Sequence, residues 1–183
     1  MVYEPLFILN IFNSEDRRLQ FSVGVEYALH SLFYLHGLPQ GKVIGIRELS
    51  ALHGISETYL SKVFTRLRKG GIVRSVPGVK GGYELARPAS DISFWDIVEA
   101  VEGAAYIFQC AEIRQKNALF NNEYSLTPPK CPCLIKVVMS EAEDKMRNYL
   151  RGKSLHWLMD QVTKDFSGQK MQRISDWQNQ SSS

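Results

Sequence analysis

The sequence predicts a mostly α-helical protein: a winged helix-turn-helix with a two-stranded wing, followed by a long dimerisation helix. Three observations carry this expectation. Ile46, Leu49 and Leu52 fall three apart, as on one face of a short helix, and Gly54 follows where the chain must turn back. Leu60, Val63, Phe64 and Leu67, with Tyr59 at the edge, form one stripe on a helix from Glu57 to Lys69 that Ser56 can cap and Gly70-Gly71 ends. A β-rich run, Ile72 to Val76, then leads through the turn cluster Pro77–Gly82 into a second run, Tyr83 to Ala86.

The remaining elements follow in order. Residues 1–18 form an N-terminal extension with apolar residues at Leu6–Leu9, Ile11 and Phe12. The winged module spans 19–103. Its first helix, Leu19 to His36, buries Phe21, Val25, Ala28, Leu29, Leu32 and Leu35, while Glu26 and His30 lie one turn apart on another face. Such a pair can grip one metal or each other. Ser93-Phe94-Trp95-Asp96 has capping-box spacing and opens a helix carrying Ile97, Val98 and Val101 that stops at Gly103. Residues 104–131 are irregular and hold Cys110; a loop of this length signals function or disorder. Residues 132–166 form the dimerisation helix, with Pro132 in its first turn, and a last amphipathic helix. The dimerisation helix has more apolar face than its own module can cover. Leu134, Ile135, Val138 and Met146 are therefore expected to form a seam with a second copy. The polar stretch 167–183 is expected to be disordered.

Charge and composition narrow the function. The chain carries a formal charge of only +3, yet Lys62, Arg66, Arg68, Lys69, Arg74 and Lys80 fall between Thr58 and Tyr83 with no acidic residue among them. Concentrated positive charge on a helix and hairpin is the footprint of a phosphate-binding surface. A hydrophobic fraction of 44% and a charged fraction of 22% fit a globular domain. Neither a membrane span nor a signal peptide is legible. Three cysteines argue against a disulfide scaffold, so a reducing, cytoplasmic setting is expected. No Ser/His/Asp set or Gly-rich phosphate loop favours an enzyme.

Gly54-Ile55-Ser56-Glu57-Thr58-Tyr59-Leu60, Arg66-Leu67-Arg68-Lys69-Gly70-Gly71-Ile72-Val73 and Gly81-Gly82-Tyr83-Glu84-Leu85 together resemble the bacterial IscR/NsrR-type winged-helix regulators. The resemblance covers about Leu19 to Leu150. It implies a homodimer on double-stranded DNA with a near-palindromic operator. Thr58, Tyr59, Lys62 and Arg66 would enter the major groove, and Lys80, Gly81 and Gly82 would reach the minor groove. Many such regulators hold an iron–sulfur cluster on three closely spaced cysteines. This chain departs from that pattern: Cys110 and Cys131 are 21 positions apart, and Lys136 stands where some members have a ligand histidine.

Gly24-Val25-Glu26-Tyr27-Ala28-Leu29-His30 and Phe108-Gln109-Cys110-Ala111-Glu112-Ile113-Arg114-Gln115 instead resemble the redox-sensing RsrR type. That resemblance implies a [2Fe–2S] cluster held by Glu26, His30, His53 and Cys110. Glu26 and His30 would come from one subunit and the other ligands from its partner. Imidazole suits iron and raises the potential of such a centre. Taken singly, each residue also has an ordinary role: an exposed charge pair, a helix-ending histidine, a small core cysteine. Cys131 and Cys133 flank Pro132 at a helix start, where thiol pKa falls, so they can be alternative ligands or a thiol switch.

The expected function is thus a redox-sensing DNA-binding regulator, a repressor, controlled by the cluster. The alternatives are an iron-free thiol-switch regulator using Cys131 and Cys133, an iron–sulfur electron carrier, and a helix-turn-helix interaction module. The electron carrier predicts colour without DNA binding, and the thiol switch predicts no colour.

Overall fold

The computed structural model describes residues 21–39, 41–78, 81–103, 106–113, 133–165 and 168–181. The expectations for residues 1–18, Lys80, Cys131 and Pro132, and for most of the loop before them, lie outside these residues. Among the described residues seven α-helices and one hairpin follow in order: α1 Val23–His36, α2 Ile46–His53, α3 Glu57–Lys69, β1 Val73–Val76, β2 Gly82–Leu85, α4 Phe94–Glu102, α5 Leu134–Arg151, α6 Leu155–Asp165 and α7 Gly168–Ser181. This is the mostly α winged helix-turn-helix that the residue pattern predicts.

Local chemistry sets the boundaries. Gly54 ends α2 at φ +66°, a left-handed conformation that glycine takes without steric penalty. Ser56 occupies the N-cap of α3 but its hydroxyl caps nothing; only its carbonyl accepts, from Leu60 N–H at 3.0 Å. Ser93 and Asp96 do form the reciprocal capping box of α4, at 3.1 and 2.8 Å. β1 and β2 pair antiparallel with Val73 opposite Leu85 and Ser75 opposite Tyr83. Ile44 extends this sheet by exchanging backbone hydrogen bonds with Tyr83 at 2.9 and 3.2 Å.

One core joins α1–α4, the hairpin and α6, centred on Leu32, Leu49, Leu60, Phe64, Leu67, Ile97 and Leu155. Phe21 is not part of it: it precedes α1 and is exposed. The junction of α5 and α6 is stitched to the start of α4 by Phe94 N–H to Lys153 carbonyl (2.8 Å) and Leu155 N–H to Ile92 carbonyl (2.9 Å).

Met146 is half-buried and packs, with Leu150, against the core of its own chain. Leu134, Ile135 and Val138 remain 77, 67 and 62% exposed. The stretch after Ser167 is not disordered through 168–181 but forms α7, whose Trp177 also packs on the core. A polar helix with few apolar anchors gives little periodic signal, and its order comes from tertiary docking.

Candidate nucleic-acid interface and histidine pair

The outward face of α3 carries Thr58, Tyr59, Lys62, Arg68 and Lys69, all exposed. Two cations in this region also have partners within the chain. Arg66 donates through Nη1 to the Val101 carbonyl at the end of α4, at 2.7 Å, so it ties two helices together. Arg74 pairs with Glu84 across the hairpin at 2.8 Å. The wing glycines serve close approach: a Cβ on Gly82 would lie 2.6 Å from the Ile44 carbonyl oxygen, and one on Gly81 would lie 2.5 Å from that of Val76.

We predict that Lys62→Ala weakens binding to duplex DNA of any sequence and lowers the slope of log affinity against log salt by about one. Arg66→Ala should in addition lower the melting temperature, because the Val101 carbonyl loses its donor. Gel shifts across a salt series check the first effect; unchanged affinity in both variants would remove α3 from the interface.

α1 and α2 bring two of the expected metal-binding residues together. The rings of His30 and His53 are 6.2 Å apart between centroids. His53 Nε2 is buried and has no hydrogen-bond partner. Burial, and then the charge of His30, hold the His53 imidazole below its usual pKa, which keeps it neutral. Tyr34 packs edge-on against His53 at 5.6 Å. Glu26 is exposed one turn before His30. A cavity of about 420 Å³ opens beside His30, lined by Leu29, Phe33, Tyr34, Phe94, Leu158 and Val162.

Cys110 is not brought to this pair. It is half-buried and lines a separate cavity of about 550 Å³ with Phe108, Cys133 and Ile135. Among the described residues no three His, Cys, Asp or Glu side chains gather as a metal set. Within one chain His53 faces His30, whereas the resemblance takes it from the partner subunit.

The histidine pair also abuts the recognition helix. His53 immediately precedes the Gly54 turn, and Tyr27 on α1 meets Tyr59 of α3 ring-to-edge at 5.8 Å. Residue patterning missed a second tie, between α5 and the Cys110 loop. Glu143 is buried on α5 and accepts from Ile107 N–H at 3.2 Å. Arg147 pairs with it and lies over the Trp95 ring at 4.5 Å. The only signal was an acid and a base four apart on a helix, which ordinarily marks a solvated face.

An exposed polar and basic recognition helix, a glycine-hinged wing and a long helix with an exposed apolar end define a DNA-binding transcriptional regulator. The chain belongs to the Rrf2 family, described as iron-dependent transcriptional regulators, whose family model matches residues 21–161. It is 32% identical over 154 residues to YwgB of Bacillus subtilis (strain 168), assigned as an HTH-type transcriptional regulator, covering 84% of this chain and 91% of that protein. Among solved structures it is similar to the oxidized form of Staphylococcus aureus CymR, at 26% identity and TM-score 0.55, over 77% of this chain and 96% of that one. It also shares the fold of T. potens IscR, at 24% identity and TM-score 0.62, over 82% and 93% of the two chains.

Proposed function

We propose that this chain is a homodimeric, cytoplasmic repressor that senses redox state and binds a near-palindromic operator. Its operator affinity is set by a [2Fe–2S] cluster on Glu26, His30 and His53 of one protomer and Cys110 of the other. One observation carries the reading: a buried, unpartnered imidazole nitrogen on His53, beside His30. Burying such an atom without a partner costs free energy, and a ligand would recover it. The donor set of two imidazoles, a carboxylate and a thiolate suits iron. The family's description as iron-dependent adds to this. In this reading the second protomer supplies the thiolate, Cys110.

When bound, such a centre supplies one-electron redox chemistry at a potential raised by its histidines. The chain's own residues carry the consequence to DNA. His53 holds the end of α2 against α1, and a shift of its ring moves the Gly54 turn that aims α3. Tyr27 bears on Tyr59 at the start of α3, so α1 and α3 move together. The two recognition helices of a dimer must sit about one DNA turn apart, roughly 34 Å, so a small reorientation weakens binding.

The ligand variants test this. Cys110→Ala should purify without oxygen as a colourless dimer, while Cys131→Ala with Cys133→Ala should keep its colour. Loss of iron from the double variant, with retention in Cys110→Ala, would reject the assignment. A second reading, an iron-free thiol switch using Cys131 and Cys133, draws support from Cys110 and Cys133 lining one cavity. It predicts colourless wild-type protein whose operator binding responds to thiol oxidants.

A further inference from the structure

The last helix has a seat prepared for it on α1. α7 begins beyond the stretch 21–161 that the family model matches. It docks through two adjacent residues. Trp177 meets Tyr34 edge-on at 5.3 Å, and the same Tyr34 ring contacts His53. Gln178 is 5% exposed, and its Nε2 donates to the Tyr34 carbonyl at 2.8 Å. That carbonyl lies in the last turn of α1, where helical carbonyls lack an intrahelical donor.

Gly37 makes the room. Its φ is −77°, a conformation any residue adopts, so no backbone demand explains the glycine. A Cβ there would lie 2.3 Å from Gln178 Nε2. The space left by the missing side chain is the space the Gln178 amide fills.

We propose that α7 is a docked C-terminal latch, and that Trp177 and Gln178 are positioning residues that hold His53 against His30 by clamping Tyr34 and the end of α1. The consequence for iron rests on the function proposed above; the latch itself does not, and its test uses metal-free, full-length protein. Lys170 and Arg173 are exposed on docked α7, but trypsin needs their backbone extended, so cleavage tracks the population in which α7 has undocked and unfolded. Gln178→Ala should raise the cleavage rate about five-fold, the factor that one net hydrogen bond contributes. Gly37→Ala should do the same by displacing the flexible amide.

The double variant should be cut no faster than Gln178→Ala alone, because the two substitutions remove one interaction. Carbethoxylation of His53 by diethyl pyrocarbonate, read by peptide mass spectrometry, should rise in parallel in all three variants. Unchanged cleavage in both single variants, or additive effects in the double, would overturn the latch. Faster cleavage with unchanged His53 modification would overturn its positioning role. If these readouts come out as expected and the wild-type protein nevertheless binds no iron, only the cluster reading falls.

Discussion

Ile135→Asp combined with Val138→Asp is expected to give a monomer whose operator affinity falls by at least about a hundredfold, the scale of avidity lost when two linked contacts become one. Leu134, Ile135 and Val138 stand exposed on one face of α5, and burying such side chains contributes roughly 1.5–3 kcal/mol each. Each aspartate forfeits that term and would place charge in an apolar seam. Light scattering and gel shifts read the two consequences. A persistent dimer would move the interface off the start of α5. Met146 belongs to a different test, since its side chain packs on its own module and a charge there would destabilise the monomer.

Glu143→Ala should be the most destabilising change at a charged residue. It strips Arg147 of its carboxylate and Ile107 N–H of its acceptor, with Arg147 held over Trp95. Breaking a buried pair by removing one partner costs about 3 kcal/mol or more. In a chain of this size that corresponds to a fall of about 6–12 °C in melting temperature. An unchanged melting curve would mean that the pair is solvated and that the Cys110 loop is not anchored through it.

What the residues made legible, and what they did not, divides along local and non-local interactions. The Gly54 turn, the Ser93–Asp96 box and the α3 stripe are each decided within a few residues, and each forms where the pattern puts it. Ser56 occupies the expected cap position without the expected bond. The charge pattern put basic residues on α3 but could not separate Lys62 from Arg66, which the Val101 carbonyl recruits from 35 positions away. Pairing of His30 with His53 depends on how α1 crosses α2, which spacing along the chain does not encode. α7 was missed for the same reason: its seat is a glycine and a carbonyl on α1, 144 positions before Gln178 in the bond they share.

In the proposed function the buried nitrogen of His53 is an iron ligand. The most direct measurement is the visible absorption spectrum of the wild-type protein purified without oxygen, with iron and acid-labile sulfide counted on the same sample. A [2Fe–2S] centre predicts coloured protein with iron and sulfide in equal amounts, bleaching on reduction and reappearing on reoxidation, with a parallel change in operator affinity. Colourless protein, free of iron and sulfide yet still folded and dimeric, would contradict it.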